Sequence, residues 1–337
     1  MTQPSPFAEI WRGPILESVH SGHAVVCDDT GQIAQSWGDP SAVILPRSSS
    51  KMIQALPLVT SGAADKMRLS TEQLALACAS HNGAAIHTDR VNSWLDTLGL
   101  DDAALRCGPQ EPDDRDARNH LIRADEAPCQ VHNNCSGKHA GFLTLNKHLG
   151  GNSEYVDPAH PVQMACLEAF EDVTEETSPG YGIDGCSAPN HACTLHGMAR
   201  AMARFAAAPD GAAETRLHQA MRLHPELVAG EGRACTELMR AMDGKVALKT
   251  GAEGFFIAIL PEQKLGIALK AACGTTRAAE CAIAAILVKL GALDPNHPAT
   301  LKRMNAPITN RREIVTGVLK PARVPQRVGQ SCSHSGF

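Results

Sequence analysis

The chain has 337 residues, of which 43% are hydrophobic and 20% charged, and a formal net charge of -5. It is long enough to bury a full core as one large domain or two lobes, and its composition excludes both a disordered chain and a membrane protein. No run of Lys and Arg supplies the footprint that phosphate-backbone binding needs, which excludes nucleic acid as a partner.

The first residues, MTQPSPFAEIWRG, lack the basic end and apolar stretch of a secretory signal, and no segment reaches the length of a membrane span. A cytoplasmic chain is therefore expected, with its twelve cysteines read as thiols in a reducing compartment. None of them forms a C-x-x-C pair, which removes the commonest zinc-knuckle and thiol-redox readings. Residues 14 to 38 carry β-branched runs around Asp28-Asp29-Thr30-Gly31, turn chemistry that predicts an antiparallel hairpin.

The segments STEQLALACASH, HPVQMACLEAFEDV, HGMARAMARFAAA and AETRLHQAMRLHPELV show helical periodicity and predict a helical lobe over residues 46–244. Strands return in KVALKTGAEGFFIAILPEQKLGIALKAA, broken at Pro261-Glu262-Gln263, and the Ala-rich run TTRAAECAIAAILVKLGAL reads as a long helix packed on them. The expectation is one α+β catalytic domain over residues 1–320. Its antiparallel sheet is built from residues 8–45 and 245–318, and residues 321–337, low in apolar content, form a peripheral or poorly ordered tail.

Three elements carry chemistry. Ser48 and Lys51 stand at the start of a helix, where an i, i+3 pair places an amine within reach of a hydroxyl and the peptide dipoles favour negative charge on an attacked carbonyl. An S-x-x-K arises by chance about once in a chain of this size. Its weight comes from two further elements later in the chain and in the right order: Ser80-His81-Asn82, an S-x-N, and Lys249-Thr250-Gly251, a K-T-G, which complete the three-part pattern of the penicillin-recognising serine hydrolases. Lysine is a base only when neutral, which takes burial or a second cation, and Lys249 supplies the cation while Ser80 bridges the amines. The spacing from Ser48 to Ser80 is short for a β-lactamase, and S-H-N replaces S-D-N, so the pattern indicates a relative of those enzymes.

A second cluster comprises HNNCSGKHAG, residues 132–141, and GIDGCSAPN, residues 182–190. Both stretches are glycine-rich and polar, suited to enclosing a small ligand. Cys135, Cys186, His132 and His139 are capable metal ligands, whereas Lys138 binds a metal only with its amine deprotonated; buried thiols are the alternative reading.

Taken together, PRSSSKMIQALPLV, CASHNG, CSGKHAGFL, GIDGCSAPN and KTGAEG resemble the asparaginase II family, the rhizobial-type L-asparaginases, over residues 8 to 318. The resemblance implies a serine β-lactamase/glutaminase-like fold, a homodimer, and hydrolysis of L-asparagine to L-aspartate and ammonia. It implies two serine/lysine tandems, Ser48 with Lys51 and Ser80 with Lys249, and one zinc per chain on Cys135, Lys138 and Cys186. For an amino-acid substrate, Arg47 or His139 is expected to meet the α-carboxylate and Asp184 or Glu253 the α-amine, with Asn82 a further contact. The competing readings are a glutaminase or β-lactamase-type serine hydrolase, and a metal-binding regulatory protein on a catalytically silent scaffold.

Overall fold

Asp28 organises the turn of the hairpin expected over residues 14 to 38: its Oδ1 accepts hydrogen bonds from Thr30 N at 2.9 Å and from Thr30 Oγ1 at 2.6 Å, the local bonding that makes Asp a turn residue. The computed structural model describes residues 3–322. In chain order its strands are β1 (Ser5–Arg12), β2 (Ile15–Cys27), β3 (Ile33–Trp37), β4 (Val43–Ile44), β5 (Tyr181–Ile183), β6 (Pro189–His191), β7 (Cys193–Thr194), β8 (Ala247–Gly251), β9 (Phe255–Leu260), β10 (Leu265–Ala271), β11 (Ala306–Thr309) and β12 (Val315–Pro321).

Eight strands form one antiparallel sheet in the order β11-β12-β1-β2-β10-β9-β8, with β3 also on β2. β2 is the seam. Val26 pairs with Ile267 of β10 on one edge and with Gln35 of β3 on the other, so the two ends of the chain share one sheet, as the sequence predicts. The fold is α+β. Every residue of β9 is buried, which requires cover on both faces of the sheet. The helices Leu195–Ala207 and Thr276–Lys289 both pack on β9 and β10 and supply it.

The first of these helices also packs on the helices Pro161–Thr174 and Ala213–Leu223, so it joins the expected helical lobe to the sheet. Periodicity shows that a helix has an apolar face, not which partner takes it. The face is small, with Ala199, Met202 and Ala203 buried, and it meets β10 at Gly266, where an added Cβ would lie 2.0 Å from Ala203 N. The remaining predicted helices form as Thr71–Ala77, Pro161–Thr174 and Ala213–Leu223. The last is shorter than its periodicity suggests, since Pro225 opens a separate helix, Pro225–Ala229.

Two strands run a few residues past the bounds expected for the sheet. β1 has a mixed pattern of partly buried residues that gives no clear alternation, and it is held by pairing with β2 and β12. Lys320 and Pro321 pair with Glu9 and Ala8, so the sheet continues to the point where the tail was expected to begin; residues 323–337 of that tail lie outside the described residues. Among the described residues no helix is long and apolar enough to cross a membrane.

Candidate active site

Four short segments, far apart in sequence, meet at one buried hydroxyl. A capping box between Ser70 and Gln73 starts the helix Thr71–Ala77, whose end delivers Ser80; the Ser80 amide is then fixed on Val228 O at 2.9 Å. Arg47–Ser50 forms a single 3-10 turn that runs into the helix Lys51–Gln54. Lys51 Nζ donates to Ala79 O and, at 2.8 Å, to Ser80 Oγ. β8 brings Lys249, whose Nζ bonds the same Ser80 Oγ at 2.8 Å and Thr250 O at 2.6 Å. The carbonyls of Ala79 and Thr250 could not be anticipated, because a backbone oxygen leaves no mark in sequence.

Both amines are about 1% exposed, and neither has a carboxylate partner among the described residues. An uncompensated buried cation sheds its proton readily. Burial, and after it the positive charge of Lys51, pulls the Lys249 amine down to about 7, which makes it a base near neutral pH. Ser48 is half-buried, and its hydroxyl has no hydrogen-bond partner among the described residues. Ser48 and Lys51 share the turn at i, i+3, but the hydrogen-bond partners of that amine are Ala79 O and Ser80 Oγ, and Ser48 is not among them.

The turn and the strand are locked together. Ser49 Oγ donates to Lys249 O at 3.0 Å, and a Cβ added to Gly251 would lie 2.6 Å from Pro46 O and 2.9 Å from Ser49 Oγ. That close approach explains the glycine of the K-T-G element. Gly251→Ala is expected to push the Ser48 turn away from β8 and lower kcat/KM by roughly 100-fold, the usual cost of a displacement near 1 Å. Steady-state ammonia release on the folded variant checks this, and a loss below threefold would show the turn to be compliant.

Beside this centre lies a sulfur-rich pocket. Lys138 Nζ donates to Cys186 Sγ at 3.1 Å, and a hydrogen bond from Cys135 together with the Lys138 charge holds the Cys186 thiol well below its ordinary range. Burial alone would lower the Lys138 amine, but the negative sulfurs outweigh it and raise it. His139 Nδ1 bonds Tyr155 Oη at 2.9 Å, while its Nε2 is buried without a partner; burial pushes this imidazole down to about 4. Two sulfurs and an amine meet in this buried place, a donor set that takes zinc only once the amine has lost its proton. By His, Cys, Asp and Glu alone, no group of three that could hold a metal is found among the described residues, so any site here depends on Lys138.

The substrate contacts expected from sequence are arranged differently. Arg47 and Asp184, assigned to opposite ends of an amino acid, bond each other, with Arg47 Nη2 to Asp184 Oδ1 at 2.8 Å. Asn190, the last residue of the second cluster, accepts from Arg47 N at 3.1 Å and so holds the residue that precedes Ser48. His139 is fully buried, and Asn82 is turned inward with Oδ1 accepting from Ala84 N at 3.3 Å. Glu253 is exposed in the turn between β8 and β9.

No curated protein matches the chain. Among solved structures, Mglu in its native form is 12% identical with a TM-score of 0.46, covering 83% of this chain and 66% of its own, so the chain spans just under two thirds of that protein. A β-lactamase from Mycobacterium bovis is 13% identical with a TM-score of 0.36, covering 80% of this chain and 94% of its own. An octameric penicillin-binding protein homologue from Pyrococcus abyssi is 12% identical with a TM-score of 0.33, covering 82% and 74%. The family L-asparaginase II matches residues 8–321. A match over nearly the whole described chain, enclosing every residue of the serine/lysine centre, places this protein in the L-asparaginase II family.

Proposed function

We propose that the protein is an L-asparaginase that hydrolyses L-asparagine to L-aspartate and ammonia through an acyl-enzyme on Ser48. The observation that carries this reading is the Ser80 hydroxyl at 2.8 Å from each of two buried amines, one of them with its pKa near neutrality. When Lys249 is neutral, Lys51 can pass a proton to Ser80 Oγ while Ser80 passes its own to Lys249. The hop leaves Lys51 neutral beside Ser48.

Lys51 then takes the Ser48 proton as Oγ attacks the side-chain carboxamide, and the Ser48 amide, which has no acceptor among the described residues, receives the developing oxyanion. The C–N bond breaks as the relay returns a proton to the leaving nitrogen, giving ammonia and a β-aspartyl ester. Water, deprotonated by the same amine, cleaves the ester to aspartate and restores Ser48. The Arg47–Asp184 pair borders the nucleophile, so a substrate zwitterion binds by exchanging partners with it, carboxylate to Arg47 and ammonium to Asp184.

Cys135, Lys138 and Cys186 would hold zinc, which when bound supplies a fixed positive charge beside the substrate. Lys138 must first give up its proton, so binding is expected to release protons and weaken as pH falls. Chelation is expected to remove one zinc per chain by metal analysis and to raise KM for asparagine; an unchanged substrate affinity and turnover would leave the metal no role with substrate. A homodimer in the cytoplasm belongs to the same proposal.

The deciding experiment is ammonia release from L-asparagine and L-glutamine beside ring opening of a β-lactam. Asparagine should be fastest, by roughly 10–200-fold over glutamine, the discrimination one methylene allows. Faster glutamine or β-lactam turnover would move the assignment to those enzymes.

A further inference from the structure

His81 takes no part in the chemistry above, yet it is about 1% exposed, immediately follows Ser80, and carries more fixed contacts than any side chain in its turn. Its Nδ1 accepts from Gly83 N at 3.2 Å, which places the ring proton on Nε2. Nε2 therefore donates to Ser136 Oγ, 2.9 Å away, and the Ser136 hydroxyl donates onward to Val131 O at 2.8 Å. The ring stacks on His87 at 4.8 Å and 8°, and His87 Nε2 donates to Glu226 O at 2.9 Å. The backbone is tied in the same direction, with His81 N on Asn134 O at 3.2 Å.

We infer that His81 is a positioning residue: as a neutral imidazole it clamps the Ser80 turn between the loop 131–136 and the segment that starts at Pro225, fixing Ser80 Oγ midway between the two lysines. A hydroxyl shared by two amines tolerates little drift, because lengthening either 2.8 Å bond breaks the proton path without touching the substrate pocket. Among the described residues the Ser80 backbone has one hydrogen bond of its own, its amide on Val228 O.

This inference rests on the proposed role of Ser80. Its test uses whichever amide the wild-type enzyme turns over fastest, so an error in the substrate assignment leaves it intact. Phe at position 81 keeps the stack and deletes the donor, whereas Gln places an amide N–H near the former Nε2. H81F is expected to lower kcat by roughly 30–100-fold with KM changed less than twofold, and H81Q to recover to within about fivefold of wild type. Ser136→Ala removes the acceptor together with its onward bond to Val131 O and should lower kcat about tenfold, again at constant KM, and combining it with H81F should add nothing further. A proportional loss in KM, a Gln variant no better than Phe, or an additive double mutant would each overturn the assignment. Should H81F fail to fold, full kcat in Ser136→Ala would do the same.

Discussion

Ser48→Ala is expected to lower kcat for the favoured amide by roughly 10⁴–10⁶-fold, the range found when a covalent nucleophile is deleted from a hydrolase. The protein should stay folded with an unchanged melting temperature, because the Ser48 side chain is half-buried and bonds nothing among the described residues. That combination separates Ser48 from Ser80. Removing the Ser80 hydroxyl takes away the one group between two buried amines, so Ser80→Ala should cost stability as well as rate. Ammonia release and a thermal melt on each variant check both statements. If Ser48→Ala kept more than a tenth of wild-type kcat, the nucleophile would have to be reassigned, first to Ser80.

Lys249→Met should abolish turnover and yet make the protein harder to unfold. The amine titrates near 7 when folded and near its ordinary 10.5 when unfolded, so between those values the unfolded chain binds more protons and stability rises with pH. Below 7 the full cost of a buried charge is present. Methionine keeps the volume without that cost, and replacing buried charges by apolar side chains is worth about 1–4 kcal/mol where packing is preserved. The gain over wild type should therefore be greatest below pH 7 and should shrink toward pH 10. In the wild-type enzyme kcat/KM should rise with pH through about 7 as Lys249 deprotonates. Melts and rate profiles across pH 5–10 test the pair, and a Met variant less stable at pH 6 than at pH 9, relative to wild type, would contradict the sign.

Much of this architecture could be read from residues whose meaning is local. The bonds of Asp28 within its own turn, the Ser70 cap and the stop at Pro225 are written within a few positions of where they act. Ser80, Lys51 and Lys249 were legible for another reason: their order along the chain is itself a pattern, and the structure brings all three within hydrogen-bond range of one atom. What sequence could not reveal was partnership across distance. Arg47 and Asp184 each looked free to hold substrate, and 137 positions apart nothing showed that they face each other. The helix Leu195–Ala207 was legible, but not that its small face meets β10, since an apolar face is silent about what covers it. His81 stood out only as a departure from a motif, because its meaning lies in Ser136, 55 positions away.

The placement of β2 between β1, β3 and β10 has a consequence for biosynthesis. During translation the first three strands leave the ribosome as a sheet with open edges, and the strand that covers β2, Leu265–Ala271, emerges only after more than two hundred further residues, with the partner of β1, Val315–Pro321, later still. Such high contact order slows folding and leaves a pairing edge exposed in the nascent chain. Yield in a heterologous host should therefore depend on chaperone supply and on growth temperature, more steeply than the stability of the finished protein would suggest.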